Sequence, residues 1–118
     1  MNLYRDDDPL FTLPLPRHGA PWLNLNTNGG HWSKDRRTKQ LWQQITMVQA
    51  ANFRVPRNLP PCELQFTYLF ETNRQRDGAN FIVDKPVIDY LVREWHCWPD
   101  DNTNWIRVLP NILLVRPS

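Results

Sequence analysis

The residues best suited to chemistry in this chain are four of its carboxylates, which fall in three places: Asp77 in "NRQRDGANF", Asp84 in "VDKP", and Asp100 with Asp101 in "WPDDN". Paired carboxylates bind Mg²⁺, an ion that keeps several waters and takes phosphate oxygens as its other ligands. An ion so held activates water and stabilises the leaving oxygen of a phosphodiester. Asp77 lies just behind Arg74 and Arg76, and Lys85 follows Asp84, so cations accompany the acids. Each acid also has a plain structural use. Asp77 can cap a turn, Asp84 can cap the helix beginning near Lys85, and "PDDN" is ordinary turn chemistry.

A second set is cationic. Lys34, Arg36, Arg37 and Lys39 open a helical stretch, at the end where the backbone dipole is positive and each exposed cation costs about 0.3–1 kcal/mol. A bound phosphate offsets that cost, because free N–H groups, dipole and side chains all favour an anion there. His31 and Trp32, just upstream, offer rings for stacking on a base or covering the cations. Asp35 and solvent are the alternative source of balance, with Trp32 then a core staple.

The net charge of +2 conceals a division. From His31 to Arg76, eight Lys or Arg stand against three acids; from Asp77 to Asp101, six acids stand against two bases. A basic stretch followed by an acidic one suggests two different tasks, although a solvated face accounts for any single charge. With 41% hydrophobic and 22% charged residues the composition is that of a globular protein, and 118 residues imply one domain, 1–118. No apolar run approaches the roughly 20 residues that span a bilayer, and "MNLYRDDDPLF" lacks the pattern of a secretion signal. A cytoplasmic, membrane-free protein is expected. Cys62 and Cys97, distant and without a CxxC pair, are expected to be buried free thiols.

Elements must position these groups. Residues 1–30, rich in Pro, Asn and Gly, are expected to be largely extended or irregular, with "LFTLPLP" an edge strand or loop. Ser33 can cap a helix through "KDRRTKQLWQQITMVQAA", with Leu41, Ile45 and Val48 on its inner face. "CELQFTYLF" alternates as a half-buried strand, Leu64, Phe66, Tyr68 and Phe70 pointing one way. A second helix carries "KPVIDYLVREW", with Val87 or Ile88, Leu91 and Trp95 inward and Pro86 near its start. "WIRVL" and "NILLV" close the chain as two strands, with a hairpin one way of joining them.

"RDGANF", "KPVIDYLV" and "WPDDN", with the upstream "LNLNTNGGHWSKDRRTKQLW", together resemble the RusA family of Holliday junction resolvases, common in phages and prophages. The resemblance runs from about Leu23 to Asp101. It implies an α+β (mixed α/β) domain, a small twisted sheet flanked by two helices, acting as a homodimer on branched DNA with Mg²⁺ as cofactor, in the cytoplasm of a bacterial host. Carried over by position, Asp77 and Asp101 match metal-binding acids, with Asp100 beside Asp101, Asn80 matches the motif Asn, and Lys85 the helix Lys that assists catalysis. Lys34, Arg36, Arg37, Lys39, Arg74, Arg76 and Asn80 would then meet DNA. Where the family has a second Asp, this chain has Ala79. Asp84, about one turn beyond Asn80, is the candidate substitute. A relative that has lost its metal would bind DNA, or a host protein, without cutting.

Overall fold

The computed structural model describes residues 10–16, 32–71 and 83–117, with side chains in the first helix from Arg36 onward. The elements are α1 (Trp32–Asn52), β1 (Cys62–Leu64), β2 (Thr67–Phe70), α2 (Asp84–Arg93), β3 (Ile106–Val108) and β4 (Ile112–Val115). Two helices and short parallel ladders make a small mixed α/β fold, as the sequence implies.

α1 contains neither Pro nor Gly over its 21 residues, and Gln, Lys, Arg and Ala, all good helix formers, recur along it. It begins at Trp32, so Ser33 lies inside it rather than capping it. Its inner face is Thr38, Trp42, Thr46 and Ala50, each buried. This corrects the expected stripe: Leu41 and Val48 are 37% and 50% exposed, and Ile45 is half-buried. The buried face admits two threonines, and the Thr46 hydroxyl donates to the Trp42 carbonyl one turn back at 2.7 Å. A hydroxyl satisfied within its own helix can be buried at little cost, which an apolar periodicity does not register.

The end of α1 is a Schellman motif. Arg54 N–H reaches Ala51 O (3.3 Å) and Val55 N–H reaches Ala50 O (3.0 Å), with Arg54 at φ 52°. Glycine is the usual occupant of that left-handed position. Arg54→Gly is therefore expected to stabilise the fold, by about 0.5–1 kcal/mol in urea unfolding; a loss of stability would show that the Arg54 side chain matters more than its backbone.

β1 and β2 are one extended run interrupted at Gln65 and Phe66, and β3 and β4 are another. β1 pairs with β3 in parallel (Cys62 with Ile106, Leu64 with Val108), and β2 with β4 (Thr67 with Ile112, Phe70 with Val115). The hairpin between the last two strands does not form. Three residues, Leu109 to Asn111, stand opposite two, so the chain bulges and continues in the same direction. Leu109 N–H on Leu64 O and Ile112 N–H on Phe66 O hold the join, and the Gln65 amide donates to Pro110 O at 3.0 Å. Pro110, lacking an N–H, is tolerated in such a bulge. A parallel return needs a crossover, and α2 supplies it.

Leu64, Phe66, Tyr68 and Phe70 point inward as the alternation implies, the Tyr68 and Phe70 rings stacked 5.9 Å apart. α2 buries Pro86, Val87, Leu91 and Val92 in the same core and packs against α1. Pro86 lies in its first turn, where no intrahelical N–H is needed. The stretch 11–16 is irregular rather than a strand. Phe11, Leu13 and Leu15 still pack on the core, and Gln49 holds the Pro14 carbonyl at 2.7 Å.

The C-terminal end of α2 is bound to the segment leading into β1. Asn58 and Leu59 N–H groups donate to His96 and Cys97 carbonyls, Trp95 Nε1 donates to Val55 O, and Trp98 Nε1 to Pro60 O. Arg57 lies over the Trp95 ring, 4.0 Å from its centroid. Both cysteines are free thiols; Cys97 is buried and Cys62 half-buried.

Candidate functional site

Arg36, Arg37 and Lys39 are exposed on the N-terminal half of α1, open to a polyanion. Lys34 belongs to the same helix. Arg74, Arg76, Asp77, Ala79 and Asn80 lie outside the described residues. Lys85 is exposed in the first turn of α2.

Asp84 begins α2 and is half-buried. The Tyr68 hydroxyl donates to its Oδ1 and accepts the Val83 N–H at 2.9 Å. Tyr68 is 5% exposed, and burial together with the Asp84 carboxylate pushes its hydroxyl well above the ordinary tyrosine range. The sequence marks Tyr68 only as an inward aromatic. A tyrosine in place of phenylalanine between Phe66 and Phe70 is the signal that could have found it, since a buried hydroxyl needs partners.

Asp100 and Asp101 are exposed in the connection from α2 to β3. The Asp100 carboxylate accepts the Asp101 N–H at 2.7 Å and the Asn102 amide at 3.2 Å, while Asn102 Oδ1 accepts the Asn104 N–H at 3.0 Å. This is turn chemistry of the kind such a sequence favours. No described hydrogen bond engages the Asp101 carboxylate.

The topology decides which acids can meet. The start of α2 is fixed to Tyr68, in β2. Asp100 and Asp101 stand between Trp98, which donates to Pro60 O, and Trp105, whose carbonyl accepts the Cys62 N–H. They are therefore at the opposite end of the layer, beside the beginning of β1. From Cys62 to Tyr68 the chain advances six residues, roughly 20 Å at 3.3 Å each. α2 spans ten residues, about 15 Å at 1.5 Å each. Ligands of one Mg²⁺ lie about 2 Å from it. Asp84 is thus held at the Tyr68 end of the layer, and Asp100 and Asp101 lie in the connection that leads to the start of β3. Among the described residues no group of three or more His, Cys, Asp or Glu is gathered to hold a metal.

Burial pushes the Cys97 thiol from its usual 9.0 up to about 11, against the opposing pull of Arg57. The folded state keeps the thiol proton longer than the unfolded state, so this contribution is complete below pH 9 and is lost as pH rises toward 11. Tyr68 acts in the same direction above about pH 10. Urea midpoints are expected to be level from pH 7 to 8.5 and then fall, by on the order of 2 kcal/mol at pH 11. Cys97→Ala should flatten the first part of the decline; an unchanged pH profile in that variant would remove the thiol from the explanation.

No protein-family model, curated protein or solved structure matches the chain. The class defined by the fold is therefore a small mixed α/β domain, and the RusA resemblance rests on the motif residues. Among the described residues, no helix is long and apolar enough to cross a membrane.

Proposed function

We propose that the chain is a RusA-like protein that grips branched DNA, as a homodimer, without assembling the complete Mg²⁺ site of a resolvase. The observation that carries this reading is the exposure of three cations, Arg36, Arg37 and Lys39, in the N-terminal half of α1. Such cations release counterions from phosphate backbones and give binding that weakens steeply with salt. Arg74 and Arg76, flanking the motif, would extend the contact. The absent carboxylate at Ala79 favours binding without cleavage.

A second reading is a Mg²⁺-dependent endonuclease that resolves four-way junctions. It is favoured by Asp77, Asn80, Lys85 and Asp101, which keep the RusA motif types. Incubating the protein with a labelled four-way junction and Mg²⁺ separates the two. Salt-sensitive binding with intact strands is expected. Symmetric nicking that disappears in Asp77→Asn would overturn the first reading in favour of the second, and no binding at low salt would end both. Ala79→Asp restores the motif carboxylate, and cleavage gained in that variant would show that one missing ligand was the whole defect.

A further inference from the structure

We propose that the outward face of the β-ribbon is a docking surface for a second copy of this chain, the two ribbons packing face to face with β2 of each copy over β4 of the other. It rests on the homodimer of the function proposed above, to which it gives a surface.

Alternation sets the face. Tyr68 and Phe70 point to the core, so Thr67 and Leu69 point outward, and Ile112 and Leu114 do the same on the paired strand. Thr67 stands beside Ile112 and Leu69 beside Leu114. Leu69 is 56% exposed, Leu114 49% and Ile112 40%. Parallel ladders are ordinarily covered on both faces, and edge strands, as both members of a two-stranded ladder are, are ordinarily guarded by charged side chains. The centre of this face has neither cover nor charge.

The charges stand at its two ends. Glu63 and Arg107 are exposed register partners on the outward side of β1 and β3, 3.5 Å apart. Beyond Phe70 and Val115, the last partners of the other ladder, come Glu71 and Arg116, both exposed. At each end the acid belongs to the β1–β2 run and the base to the β3–β4 run. That arrangement specifies the occupant and its orientation. A two-fold axis along the strands lays Leu69 over the partner's Leu114, Glu63 over the partner's Arg107 and Glu71 over the partner's Arg116, so unlike charges meet at both ends of an apolar centre. A two-fold axis across the strands, centred on the ribbon, sets acid over acid and base over base, which is costly. Packed sheets lie about 10 Å apart, a gap that glutamate and arginine side chains reaching from opposite sides can bridge. A self-complementary patch of this kind closes as a dimer rather than a filament.

Analytical ultracentrifugation of the whole chain, without DNA, tests this. The wild type is expected to sediment as a dimer at tens of micromolar. Leu69→Ser with Leu114→Ser is expected to weaken the dimer by about tenfold or more, with the circular dichroism unchanged because both side chains are exposed. The charges supply a test that a damaged fold cannot imitate. Glu63→Arg with Glu71→Arg makes the ends of the face wholly basic, and Arg107→Glu with Arg116→Glu makes them wholly acidic. Each of these chains alone is expected to be monomeric, and an equimolar mixture to recover the dimer, since unlike ends then meet across the interface. A monomeric wild type would overturn the proposal and leave the face to a different protein. A dimer unmoved by the leucine substitutions, a wholly basic or wholly acidic chain that still dimerises, or a mixture that stays monomeric would overturn it by placing the contact elsewhere. Junction binding measured separately distinguishes the failures: a dimer that binds no junction sinks the DNA reading alone, and a monomer that binds one sinks this surface alone.

Discussion

Trp98→Ala is expected to lose about 3–5 kcal/mol of stability, enough to leave a domain of this size close to unfolded at 37 °C given typical totals of about 5–15 kcal/mol. Trp98 is 1% exposed and is among the largest fully buried side chains. Truncation removes its apolar area, leaves a cavity, and deprives the Pro60 carbonyl of its indole donor. The bond joins the chain leaving α2 to the approach to β1, so the loss loosens the connection that delivers β3 to its parallel partner. Trp98→Phe isolates the hydrogen bond from most of the bulk and should cost roughly 1–3 kcal/mol. Trp95→Ala, removing a half-buried ring partly covered by Arg57, should cost less than Trp98→Ala. Urea midpoints at constant slope supply the measurement. A Trp98→Ala loss below 1 kcal/mol would mean the two segments are held by something else.

Replacing Arg36, Arg37 and Lys39 together by Ala is expected to weaken binding to a four-way junction by about 10²-fold or more at low salt, and to reduce the slope of log affinity against log salt by about 3. All three are exposed, so the folded state should hardly notice their removal. Relief of cations at the positive end of α1 could even raise Tm slightly. An unchanged salt slope in a well-folded triple variant would move the DNA contact away from α1. The same variant with a linear duplex of equal length shows whether these cations contribute to junction preference or only to phosphate affinity.

Parts of this fold are legible in the sequence. The alternation of Leu64, Phe66, Tyr68 and Phe70 gives a half-buried strand because one face of the ribbon faces the core. Val87 and Leu91 mark the inner side of α2 for the same reason. The inner side of α1 is misread because its buried positions include Thr38 and Thr46, whose hydroxyls an apolar periodicity does not count, while Leu41 and Val48 remain outside. β3 and β4 invite a hairpin because Pro110 and Asn111 are turn residues. In the fold they occupy a bulge, and the ladder partners lie more than 40 residues earlier, beyond any local signal.

The candidate site divides similarly. Exposed cations at one end of a helix can be read from spacing alone, and Arg36, Arg37 and Lys39 are where that spacing puts them. The convergence of acids cannot. Asp84 and Asp101 are separated by one helix and a turn, which in sequence allows either a shared ion or opposite ends of the layer. Only the direction of the strands decides. A parallel return carries the chain back to the beginning of β1 before β3 starts, and Asp100 and Asp101 are left there.

Paramagnetic broadening by Mn²⁺, a stand-in for Mg²⁺, measures that separation directly in the amide spectrum of the folded protein. The expected result is that no single bound Mn²⁺ broadens the amides around Asp84 and those around Asp101 with the same saturation curve. Simultaneous loss of both sets at one equivalent of metal would contradict the account, because it would place the two acids around one ion.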